Sequence, residues 1–275
     1  EKVLEKKYHN LIKTIGCPKL DIVNYLKNKH KKENSVGVIG RYSNINSVTG
    51  SPVIMGLANL GNLSRILKQC KDFKITHDII SMILLETDFN ISYRPHPLEE
   101  VKSSKEFFSK KFKNFKTRVN VDENLFFADW VTKQNYIIAP TTSSFTEIYN
   151  LRVPLILLDS LSGTLSFWRK FKMSKIWQDN SFLPKTKKEL LGILQKKMKF
   201  KYGSRDVKIQ QEKYCDTQNK IPASLRLLKL VDYEIEKLNL SKTFFIPRII
   251  ILYINFLINK KNSWYDKLYF EKHFD

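Results

Sequence analysis

Between residues 35 and 158 short apolar runs alternate with longer polar stretches, and this alternation constrains the fold more than any other feature of the chain. Ser35–Arg41 (SVGVIGR), Phe89–Arg94 (FNISYR), Thr117–Val121, Tyr136–Ala139 and Leu155–Leu158 have the length and composition of strands. Leu63–Leu85, Ser103–Phe112, Leu125–Lys133 and Ser144–Asn150 read as helices between them, the first broken around Lys71–Lys74. Strands separated by helices of this length predict an α/β fold with a parallel sheet flanked by helices. Ile15–Asp21 reads as a turn, and the Ser-, Asn- and Gly-rich segment Tyr42–Gly61 as mostly loop. After Asp159 the pattern is helical only, over Leu165–Trp177, Lys187–Lys199 and Ala223–Leu238, and residues 1–13 are a charged helix.

Of the 275 residues, 42% are hydrophobic, which excludes a wholly disordered chain. The formal net charge is +21, denser after residue 159 than before it. Such a charge attracts polyanions without choosing among nucleic acid, anionic lipid and phosphorylated substrates, and it is equally the mark of a solvated lysine-rich surface. Three separated cysteines build no disulfide scaffold and no CxxC pair, which fits a reducing compartment. The chain opens on Glu1 with no leader pattern and reads as a piece of something longer.

Phe244–Ile258 is intensely apolar but only 15 residues long, short of the roughly 20 that span a bilayer. Arg248, Asn255 and Asn259 share one helical face, and Lys242, Lys260 and Lys261 flank the run. That is the pattern of a helix lying in a membrane interface, or of one buried against its own domain or a partner.

Two strand ends carry candidate chemistry. Arg94-Pro95-His96-Pro97 closes a strand, where ligands of parallel sheets bind. The prolines fix the turn around His96, and a guanidinium beside a ring N–H suits a phosphate. Thr141-Thr142-Ser143-Ser144 stands between a strand and a helix, with hydroxyls and backbone N–H groups gathered for an anion. The bland alternative is a capping box between Ser144 and Glu147. Arg41 and Ser43, after the first strand, face the same crevice in this reading. No P-loop, HExxH, GxSxG or clustered His/Cys occurs, and no Asp-x-Asp that would hold a nucleotide diphosphate through a metal. His9, His30, His77 and His273 read as ordinary surface residues.

Taken in order, Gly16-Cys17-Pro18-Lys19-Leu20-Asp21, Arg94-Pro95-His96-Pro97, and Ser143-Ser144-Phe145-Thr146-Glu147 followed by Leu151–Ile156 resemble the donor-binding half of GT-B glycosyltransferases. The resemblance is to proteins of bacterial surface-carbohydrate biosynthesis (capsule and lipopolysaccharide), with Arg152-Val153 where a Gly-Lys pair is usual. It implies a Rossmann-like domain over residues 35–240. Residues 1–34 would be an entry segment from an acceptor domain outside this stretch, and 241–275 a possible membrane-associated tail. It further implies a nucleotide-sugar donor, CMP- or CDP-linked by preference, held by Arg94, His96, Thr142, Ser143, Ser144, Glu147, Arg41 and Ser43. His96 would stabilise the leaving phosphate without metal or other cofactor, and the catalytic base would come from the acceptor half.

The implied acceptor is a surface polysaccharide or lipid-linked glycan at the inner face of the cytoplasmic membrane, with no role for nucleic acid. Competing readings are a CDP-glycerol glycerophosphotransferase, a nucleotide-sugar 2-epimerase, and a non-catalytic basic polyanion-binding module.

Overall fold

A computed structural model describes residues 16–26, 33–43, 45–46, 60–123, 126–215 and 221–237. The expected helix at 1–13, most of the loop after Tyr42 and the whole tail 241–275 lie outside the described residues. Among the described residues, no helix is long and apolar enough to cross a membrane.

Five strands form one parallel sheet: β1 (Ser35–Ile39), β2 (Asn90–Arg94), β3 (Val119–Val121), β4 (Tyr136–Ala139) and β5 (Leu155–Leu157). Their order is β3-β2-β1-β4-β5, every pair parallel. This is the Rossmann-like α/β arrangement that the alternation predicts, with the chain running outward from β1 on one side and, after β3, on the other. β4 coincides with its predicted run, and the other four strands are a residue or two shorter than theirs. The chain leaves the ladder at Gly40, whose N–H donates to the Arg94 carbonyl at 2.8 Å, past the last β1 pair, Ile39 with Arg94.

Helices cover both faces. α1 is Pro18–Leu26, α2 Leu60–Glu86, α3 Val101–Lys111, α4 Phe127–Thr132 and α5 Phe145–Asn150. Alternate strand residues serve the two layers. Val36, Val38, Ile91, Tyr93, Ile138 and Ile156 pack with Ile79, Ile80, Ile83 and Leu84 of α2 and Phe108 of α3. Ile137, Ala139, Leu155 and Leu157 pack with α1, Trp130 and Ile148. Burying both faces explains why β4 and β5, buried along their whole length, read as continuous apolar runs.

Gly37 of β1 turns toward the second layer. A Cβ there would lie 2.6 Å from Ile137 Cδ1 and 2.8 Å from the Trp130 ring. The large indole packs onto the sheet because this position carries no side chain.

Several expectations change. Gly16–Asp21 is not simply a turn: Pro18 opens α1, at the position where its missing N–H costs nothing. Leu20, Val23 and Leu26 then bury one face of that helix in the second cluster. α2 runs unbroken through Lys71–Lys74, because Lys71 and Lys74 are exposed while Thr76, Ile79, Ile80 and Ile83 continue the buried stripe. The single helix expected at Leu165–Trp177 is two. α6 is Asp159–Ser162, α7 Leu165–Arg169 and α8 Lys172–Asp179, the last two parted by an extended Phe171. α9 (Lys187–Gln195) opens on Thr186, whose hydroxyl accepts the Glu189 N–H at 3.1 Å. α10 (Arg205–Cys215) carries no signal strong enough to predict it. The sheet and the elements through residue 220 form one compact unit, and α11 (Ala223–Lys237) belongs to a second.

His77 is not a surface residue. It is 4% exposed, ringed by Phe73, Phe107, Phe108 and Phe112. Its Nδ1 lies 2.7 Å from the Phe73 carbonyl and its Nε2 is buried without a partner. Burial, the largest cause, and then Lys111 push its pKa down to about 4.

Two outcomes are expected. Gly37→Ala overpacks the Trp130 contact and lowers unfolding free energy by about 1–3 kcal/mol, measured by urea titration. His77 is neutral in the folded protein, so its contribution is complete above the ordinary histidine pKa near 6.5 and is lost as pH falls from there toward 4. The loss approaches about 3 kcal/mol, and His77→Phe flattens that part of the stability–pH curve.

Candidate functional site

The sheet order reverses between β1 and β4, so the loops leaving their carboxyl ends diverge and open a crevice. Arg41 follows β1 and Thr141 follows β4, and Arg41 Nη1 donates to the Thr141 carbonyl at 3.0 Å across the gap. A cavity of about 330 Å3 opens there, lined by Arg41, His96, Thr142 and Ser143, with Ser174 and Trp177 of α8 on its far wall. The structure therefore brings His96 and Ser143 together from separate strand ends.

His96 is fixed by what surrounds it. Its Nδ1 accepts the Leu98 N–H at 3.2 Å, which leaves the proton of the neutral ring on Nε2. Burial, then the charge of Arg41, lowers its pKa from the ordinary histidine value. At neutral pH it is an uncharged N–H donor beside a guanidinium.

The turn holding His96 is tied down by Glu99, which is 2% exposed. One Glu99 carboxylate oxygen accepts the Tyr42 N–H at 2.6 Å and the His96 N–H at 3.2 Å, and the other accepts the Tyr93 hydroxyl at 2.9 Å. Burial pushes the Glu99 carboxyl up, while these donors pull it back. A Cβ at position 40 would lie 2.3 Å from the Tyr93 hydroxyl and 2.9 Å from Glu99 Oε1, so only glycine lets β1 pass this network. Sequence reasoning missed Glu99 because nothing in the chain separates it from its neighbour Glu100. Asp159 was also missed. It is 3% exposed, accepts the Thr141 N–H, and takes the Thr164 hydroxyl at 2.6 Å, which sets the loop after β4. An aspartate directly after the run LILL was the available signal.

The other expected residues sit elsewhere. Arg94 is outside the cavity lining: its guanidinium meets Asp122 at 2.5 Å and lies 5.5 Å from the Phe127 and Trp130 ring centres. Arg41 supplies the cavity's guanidinium instead. Ser43, Ser144 and Glu147 are likewise outside the lining. Ser144 makes no side-chain cap, so the expected capping box with Glu147 does not form. Thr142 supersedes it, its hydroxyl accepting the Ser144 N–H at 3.2 Å. Glu147 is half-buried, 3.9 Å from Lys19 Nζ of α1, with its carboxyl pushed up by burial. Lys19 of the first motif and Glu147 of the third thus meet at one place. Among the described residues, no group of three or more His, Cys, Asp or Glu could hold a metal ion.

No family model matches this sequence, and no curated protein matches it significantly. Among solved structures, the chain is similar to the UDP-GlcNAc 2-epimerase of Methanocaldococcus jannaschii, determined in complex with UDP-GlcNAc and UDP. Identity is 15%, the match covers 84% of this chain and 57% of that one, and the TM-score is 0.45. The chain thus spans little more than half the length of that neighbour.

Glu99→Ala strips acceptors from the buried Tyr42 N–H, the half-buried His96 N–H and the buried Tyr93 hydroxyl. It is expected to cost roughly 3 kcal/mol of unfolding free energy, while Tyr93→Phe, which removes one hydroxyl, costs about 1 kcal/mol. Chemical denaturation of both variants checks the ordering.

Proposed function

We propose that this chain is the donor-binding half of a GT-B-type glycosyltransferase, taking a nucleotide sugar and passing its glycosyl group to a surface polysaccharide or lipid-linked glycan. The observation that carries the reading is the shared cavity of Arg41, His96, Thr142 and Ser143 at the reversal of strand order. A phosphate there meets a permanent positive charge, an Nε2–H donor and two hydroxyls. These groups gain strength as negative charge grows on the departing phosphate, and they need no reorganisation to do so. The ordered motifs of the sequence support the same reading, with Arg41 taking the place given to Arg94.

His96 acts as a neutral hydrogen-bond donor in this scheme. Its accepting nitrogen is occupied by Leu98 N–H, so it removes no proton from an acceptor through that atom. The base comes from the acceptor half. The lysine-rich surface and the apolar run 244–258 fit work against anionic lipid at the inner membrane face.

A thermal-shift panel with CMP, CDP, UDP and GDP tests the proposal. A nucleotide at a hundredfold excess over its Kd adds about 2.7 kcal/mol, which raises Tm by roughly 5–10 °C in a chain of this size. Arg41→Ala and His96→Ala are each expected to weaken binding by roughly 10–100-fold. No shift with any of the four, together with salt-sensitive binding of nucleic acid, would replace this reading with that of a basic polyanion-binding module.

A further inference from the structure

We infer that a second cavity, on the other side of Arg41 from His96, takes the glycosyl group of the donor and is built for a sugar that presents hydroxyls rather than a carboxylate. The inference rests on the nucleotide-sugar reading above and concerns the part of the ligand beyond the phosphates.

The cavity measures about 320 Å3 and shares Arg41 and Pro140 with the His96 cavity, so the two abut. It lies between the first half of α2 and the loops that follow β1, β4 and β5. α2 has 27 residues against five for the strands beside it. Its amino-terminal half therefore extends past the carboxyl edge of the sheet, and Lys68 and Asp72 reach the cavity from there. The volume is at the low end for small-molecule sites, which run from roughly 300 to 1,000 Å3, and suits one pyranose ring rather than an oligosaccharide.

The lining has the chemistry of a carbohydrate pocket. Asp72, Asp159, Ser162 and Thr164 supply polar atoms, and the exposed Phe167 supplies ring surface for the C–H face of a sugar. The decisive atom is Asp72 Oδ1, which is buried without a hydrogen-bond partner, while the carboxyl as a whole is steadied by the Ser162 hydroxyl of the same lining. An orphaned carboxylate oxygen is completed by a donor, and a sugar hydroxyl is one. Asp159 is already occupied by the Thr141 N–H and the Thr164 hydroxyl. A carboxylate on the sugar would bring a third negative group against these two. The two cations of the lining have other engagements: the charge of Lys68 is set against Asp72, with Nζ 5.7 Å over the Phe167 ring, and Arg41 is bonded to the Thr141 carbonyl at the boundary with the phosphate cavity.

The test uses the full chain and the nucleotide that stabilises it in the panel, compared as its glucosyl and glucuronosyl derivatives. These are UDP-glucose and UDP-glucuronate for uridine, and CDP-glucose and CDP-glucuronate for cytidine; the GDP pair serves for guanosine. Calorimetric titration is expected to show the glucosyl form binding at least tenfold more tightly than the glucuronosyl form. Asp72→Ala should lose about tenfold for the glucosyl form with the free nucleotide unchanged, which also certifies the variant as folded. Asp72→Asn keeps the shape, removes the charge, and should bring the two derivatives within about threefold of each other. Equal or tighter binding of the glucuronosyl form, or no loss in Asp72→Ala, overturns the inference while nucleotide binding keeps the parent reading. Absence of any nucleotide binding overturns both.

Discussion

The Glu99 carboxylate joins three parts of the chain that otherwise meet only by proximity. It holds the backbone after β1 through Tyr42, the side chain of β2 through Tyr93, and the turn after β2 through His96. A buried carboxylate is costly unless its lone pairs are filled, and here they take three donors. The network is therefore stable only when all three segments are in place, and the position of the His96 ring follows from it. Gly40 is part of the same constraint, since any side chain there would enter the space of the phenol.

A second carboxylate does the matching work at β4. Asp159 sits past the end of β5 and holds the Thr141 backbone and the Thr164 hydroxyl. Arg41 then joins the two halves by reaching from the β1 loop to the Thr141 carbonyl. Where the strand order reverses, no ladder holds the diverging loops together, and side chains take over. The two cavities share this single bridging guanidinium, which puts a permanent positive charge at their common boundary.

Much of the framework was legible in the chain. Parallel strands buried on two faces must be apolar throughout, and YIIA and LILL show it directly. The motif around His96 was legible because two prolines leave its turn few conformations. Less visible were features that depend on which face a residue takes. Lys71 and Lys74 suggested a break in α2 because their charge was weighed without the helical face that carries it to solvent. His77 was read as exposed for the converse reason: the phenylalanines that bury it include three from α3 and the residue after it, some 30 positions along the chain.

The sequence by itself determined the α/β class, the number of strands and the strand ends on which polar residues collect, because burial on two faces and proline geometry are local requirements written into composition and spacing. Tertiary structure alone decided which polar residues line the cavities and which serve the scaffold. Arg94 and Arg41 are equally suited to a phosphate as residues. Arg94 is taken up by Asp122, 28 positions away in the chain, whereas Arg41 lies at the strand-order reversal. The competition is between partners distant in sequence, and it is resolved only when the sheet brings them within a few ångströms.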